Sequence, residues 1–402
     1  MRLSSSARSF LTRRCLNGIA LPGALAIAAA AVLVSAGESP APALSRVGRL
    51  LVPAALAAPG ARSSAAKVAI LASTPGAARS TLHIAAVGGK KAGPALATLQ
   101  HLSDAVVRAR VVPRTSIVVA TADTSPSRDR SFNASLFRIE PHAEPVALCD
   151  GVVHASRPLV TAAGRVFVSR GVAGPEPPLD GDLARLRVDT LTIDEIDLAN
   201  GASRTVHSVA GHLAFLAGEW RGDLVIYRVA PGSADIVLVN PDTGATRVVV
   251  PSIPPFARDF SIDAATAALV FQNRHEVDPG TWVIDQLDLR SGKRARLETS
   301  ANNGLAPHAW PGGGLAYTPD RAAGLLVVGA RAAIRGPLGA GVDAIQAVSP
   351  DASWVAALHT NPSAFAVPFA IHAASGEVAA IPAPPGARIA VAGFTTAKEE
   401  QR

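Results

Sequence analysis

The chain has 402 residues, of which 49% are hydrophobic, 4% aromatic and 17% charged, with a formal charge of +7 and an isoelectric point near 10.1. A chain this apolar can bury a core that offsets its conformational entropy, which excludes global disorder; 34 Gly and 31 Pro without a three-residue period exclude collagen. Two cysteines exclude a disulfide scaffold, and the length allows two or three ordinary domains or one large β-architecture.

Residues 1–36 read as an export signal. Arg2, Arg8, Arg13 and Arg14 precede an apolar run from Ile19 to Val34, and Val34-Ser35-Ala36 supplies the small residues of a cleavage site. Thr12-Arg13-Arg14-Cys15-Leu16 also matches a twin-arginine signal, and a plain secretory signal accounts for the same residues. The run spans 16 residues, short of the roughly 20 that cross a bilayer comfortably. Cleavage is therefore expected over retention as an anchor through residues 19–34, and membrane contact is expected only through this segment. Residues 37–66 are rich in Ala, Pro, Ser and Gly and read as a linker to the body. These two segments carry most of the positive charge, leaving the chain from Lys67 onward at about +1. A nucleic-acid partner needs a basic face that this body does not display.

From Lys67 the chain reads as strands. Lys67–Leu71 and Leu82–Val87 come first. Gly93–Val107 is the best helix candidate, with Leu96, Leu99, Leu102 and Val106 at helical spacing. A strand–turn–strand unit then recurs, ending at Asn200-Gly201, Thr243-Gly244, Ser291-Gly292 and Ser375-Gly376. Those glycines lie 43, 48 and 84 positions apart. A second hairpin precedes each by about 30 residues, as in Phe260–Phe271 and Val348–Leu358. Four short strands every 40–50 residues is the period of a propeller blade.

Ser349-Pro350-Asp351, followed by Ala352 and an apolar strand, resembles the TolB-type, WD40-like repeat, usually written Ser-Pro-Asp-Gly. The resemblance covers about residues 150–394, and more loosely the chain from Lys67. It implies an all-β fold, a six- or seven-bladed β-propeller of four-stranded blades over residues 67–394, with a tail at 395–402. Blades are expected at about 108–149, 152–207, 210–250, 256–299, 305–338 and 342–382, the second lengthened by an insertion at Gly174–Gly181. The terminal strands Lys67–Leu71 and Arg388–Phe394 can close a seventh blade; a six-bladed ring with irregular ends is the alternative.

His154, His212 and His308 stand near the starts of inner strands in three blades, with Gln346 at a comparable place in the last. Some propeller lyases with this repeat resemble that picture, holding manganese on channel histidines and a glutamine. The resemblance therefore implies these four as candidate metal ligands, in the alternative where the chain uses a divalent metal. Asp180-Gly181-Asp182 lacks the further acids of a calcium loop, and Asp123–Asp129 reads as a polar loop. Cys149 follows Val146-Ala147-Leu148 and is expected to be a small buried residue. No Gly-x-Ser-x-Gly elbow is present. The expected function is an exported, monomeric, non-enzymatic binding or protein-interaction scaffold of the periplasm or exterior, without a cofactor, whose partner is an envelope protein or glycan. The alternative is a metal-assisted lyase or hydrolase at the channel mouth.

Overall fold

The computed structural model describes residues 66–125, 132–173, 188–211, 213–230, 233–275, 277–278, 280–297, 304–311, 313–319, 325–328, 341–360 and 366–395. The expected export signal, Cys15, nearly all of the expected linker, the expected insertion with Asp180-Gly181-Asp182, His212 and all but the first residue of the expected tail lie outside them. Among the described residues the fold is all-β, and no helix is long and apolar enough to cross a membrane.

The strands form antiparallel meanders in chain order. Four sheets have four strands each, one has three, and one has eight. The eight-stranded sheet consists of two successive meanders, Arg108–Val152 and Leu159–Val209, bridged through the pair Val152↔Arg170 and the adjacent Val153 N–H to Ser169 carbonyl bond. Hydrogen bonding thus divides the chain into six sheets, whereas apolar packing forms seven layers, one between each meander and the next. The ring closes through its ends: strand Arg388–Thr395 pairs antiparallel with Lys67–Ser73, which is thereby paired on both sides.

This stacking explains the hydrophobic pattern. A middle strand is covered on both faces by neighbouring sheets, so Val118–Asp123 is buried at all six positions instead of alternating. Each fully buried aliphatic or aromatic side chain contributes about 1.5–3 kcal/mol. Phe167, Phe271 and Phe369 are such residues, each packed in the layer between two meanders.

The repeated glycine turns share one geometry. The N–H groups of Gly201, Gly244, Gly292 and Gly376 donate to the carbonyls of Asp197, Asn240, Asp288 and His372, at 2.8–2.9 Å. In the first three, the side chain at that acceptor residue also takes an N–H two residues on. Gly292 sits at φ +72°, and a Cβ there would lie 2.3 Å from the Val249 carbonyl oxygen of the preceding sheet. Glycine is required there by backbone angle and by the neighbour. The Ser349-Pro350-Asp351 turn is similarly built: Ser349 Oγ donates to Asp351 and accepts the Trp354 N–H. Ala352, in place of the usual glycine, is held at φ +57°.

One expectation fails. The segment proposed as a helix contains the strand Ala97–Gln100 within irregular chain. Leu99 is buried there against the closing sheet and its neighbour, so tertiary pairing with Arg79–Leu82 overrides the helical spacing.

Candidate functional site

The innermost strands surround a central cavity of about 280 Å³. Its lining comes from 107–110, 154–159, 215–217, 257–260, 306–308, 342, 344–346 and 389–391, together with residues on second strands such as Tyr227 and Leu358. Five inner strands carry one residue more than their partners at this level. The extra residue falls within 391–393, 216–218, 258–261, 305–308 and 345–347. A bulge of this kind breaks the alternation and lets consecutive residues face one side. Hence Arg258, Asp259 and Phe260 all line the cavity, with Asp259 at φ +53°.

Among the described residues the charged lining is four arginines, Arg108, Arg110, Arg157 and Arg258, against one acid, Asp259. Their side chains keep some accessible surface because they border a hollow, yet protein surrounds them as in the interior. Burial pushes Arg110 down to about 10. Arg157 is driven well below the ordinary arginine range, first by burial and then by repulsion from Arg110 and Arg108. Burial also lowers Arg108 and Arg258, with Asp259 partly offsetting it in both cases. Asp259 is raised by its own burial, against the pull of Arg258, Arg108 and Arg157. Cations crowded in this way, with too few acids to neutralise them, form a site for a negatively charged group.

The candidate metal ligands are placed as follows. His154, His308 and Gln346 line this one cavity; His212 lies outside the described residues. His154 Nδ1 is 2.9 Å from Asp123 Oδ1, so its Nδ1–H donates to that carboxylate. His308 Nδ1 donates to the Ala309 carbonyl at 2.7 Å, and burial, with Arg110 and Arg157 nearby, pushes this imidazole down to about 4. The side-chain oxygen of Gln346 accepts from Arg157, its amide donates to Ala344, and its main-chain carbonyl accepts from Arg110. The glutamine oxygen that a cation would use is thus held by a guanidinium. Among the described residues no three His, Cys, Asp or Glu side chains gather as a metal cluster. Asp123 is not part of a solvated loop: it ends a strand, buried, and orients His154. Cys149 is half-buried, and burial raises its thiol to about 11, which leaves it unreactive at neutral pH.

The arginines were missed because the body's net charge is near zero. A local signal existed: Arg108-Ala109-Arg110 puts two arginines on one face of a strand whose other face, at Ala109, is core.

No protein-family model matches the chain, and no curated protein matches it. Among solved structures it is similar to a Bacteroides fragilis protein described provisionally as a 6-phosphogluconolactonase. That match has 10% identity and a TM-score of 0.50, and covers 83% of this chain and 99% of the other. It is also similar to TolB from Acinetobacter baumannii, at 12% identity and a TM-score of 0.46, over 82% of this chain and 67% of TolB. Two prolyl endopeptidases were analysed in a further similar structure, at 14% identity and a TM-score of 0.49; 79% of this chain matches 49% of that one, so the chain spans about half its length. At such identities the likeness is one of fold. The propeller implied by the Ser-Pro-Asp repeat is the architecture the chain adopts.

Proposed function

We propose that the chain is an exported propeller that acts by binding, and that its ligand presents a negatively charged group to the central cavity. The observation that carries this reading is the set Arg108, Arg110, Arg157 and Arg258 facing a single acid, in a body whose overall charge is close to neutral. Four partly desolvated guanidinium groups within one ring of strands are costly unless an anion offsets them. Export rests on the basic, apolar and small-residue order of residues 1–36. An envelope protein or glycan bearing an acidic group suits the same site.

The test is isothermal titration of residues 67–402 with inorganic phosphate at low salt. Binding is expected, and Arg157→Met should weaken it at least about tenfold, the scale of one charge-assisted hydrogen bond. Absence of binding up to about 10 mM phosphate would overturn the proposal.

A second reading, acid–base chemistry in the same cavity, rests on His154. Asp123 holds its Nδ1, and among the described residues its Nε2 makes no hydrogen bond. This is the arrangement of a general base. It requires turnover of some anionic ester that His154→Gln abolishes while phosphate binding persists.

A further inference from the structure

The cavity has two unlike sides. Arg108, Arg110 and Arg157 come from two successive meanders, and Arg110 and Arg157 are linked to Gln346. The next two meanders in the ring contribute an aromatic wall of Phe215, Tyr227 and Phe260. Phe215 and Tyr227 are cross-strand partners with ring centroids 6.2 Å apart and planes 28° apart. Tyr227 and Phe260 follow at 5.2 Å. The Tyr227 hydroxyl accepts the Ala257 N–H, and its ring is buried in the core layer behind Phe215 and Phe260. Phe215 and Phe260 are only partly buried, although each packs against the core layer behind it. Aromatic residues are 4% of the chain, so three on one wall of one cavity set the character of that wall.

We infer that the cavity takes a small organic anion with a flat apolar body, an aryl phosphate or aryl carboxylate in chemical class. The charged group meets Arg108, Arg110 and Arg157, and the ring lies on Phe215 and Phe260. This rests on the anion-binding reading above and adds the second half of the ligand. The size agrees. Roughly 150 Å³ of apolar space holds a benzene ring, and about 280 Å³ leaves room for its charged substituent. Aromatic faces favour a ring at offset-stacked or edge-to-face geometry. Arg258 and Asp259 precede Phe260 on the same bulge, so this wall carries one cation and one acid beside its rings.

The probes are phenyl phosphate, benzoate, inorganic phosphate and acetate, titrated against the intact body by calorimetry. Phenyl phosphate is expected to bind about 10- to 100-fold more tightly than inorganic phosphate, and benzoate more tightly than acetate by a similar factor, the gain for burying an aromatic ring. Phe215→Leu and Phe260→Leu keep apolar volume for the fold and should each shrink the phenyl-to-inorganic ratio several-fold. Equal affinities for phenyl phosphate and inorganic phosphate would overturn the inference and leave anion binding standing. If neither bound, the anion-binding reading itself would fail. A ratio unchanged in both leucine variants would also overturn the assignment of this wall.

Discussion

His308 makes the fold sensitive to acid in a direction the structure dictates. Its imidazole is pushed from the ordinary 6.5 down to about 4, by burial first and then by Arg110 and Arg157, against the favourable bond to the Ala309 carbonyl. Unfolding releases it to titrate near 6.5, so between these values the unfolded chain binds the extra proton. Stability contributed by the neutral ring is therefore complete above pH 6.5 and is lost as pH falls toward about 4. The shift corresponds to about 3 kcal/mol if the ring is dry. Cavity water screens part of this, leaving about 1–3 kcal/mol. The perturbation is His308→Asn, whose amide can keep a donor near the Ala309 carbonyl but does not titrate. Urea unfolding, followed by tryptophan fluorescence at about pH 7.5 and pH 4.5, measures the loss in each chain. The wild type should lose about 1–3 kcal/mol more than the variant. Asp259, shifted the opposite way, contributes equally to both and cancels. Equal losses, or a larger loss in the variant, would refute the placement of a neutral histidine among those arginines.

Two further outcomes test the ring itself. Gly292→Ala and Gly76→Ala change glycines at φ +72° and +78°, but only the first drives a Cβ onto a neighbouring carbonyl oxygen; thermal or urea unfolding should show about 1 kcal/mol lost at Gly76 and about 2–4 kcal/mol at Gly292. A chain ending at Gly386 lacks the strand that pairs with Lys67–Ser73. It should self-associate through the bared edge on size-exclusion chromatography, and an added peptide of residues 387–396 should restore the monomer.

The repeat was legible because its turn is local. Asp197, Asn240 and Asp288 cap their own turns, and Gly201, Gly244 and Gly292 adopt the left-handed angle, so the letters that mark the period also make the geometry. The strands between were legible for a related reason: sheets covered on both faces need nearly continuous apolar runs, as at Val118–Ala122. Leu96, Leu99 and Leu102 misled because their spacing fits a helix, and only pairing with Arg79–Leu82 decides for a strand. His154, His308 and Gln346 line one cavity, but the groups that hold them were out of view in the sequence. The Arg157 guanidinium holds the Gln346 oxygen, whereas the Asp123 carboxylate and the Ala309 carbonyl engage only Nδ1 of His154 and of His308.

Composition, turn chemistry and period are short-range properties, and the sequence by itself determined them: a chain of short strands with glycine turns. The character of the cavity is long-range. Arg108 and Asp259 stand far apart in the chain and interact only because the ring closes and a bulge turns consecutive residues inward. Charges that sum nearly to zero along the body are sorted by the fold, and only the tertiary structure decided that four arginines and three aromatic rings line the centre of the ring.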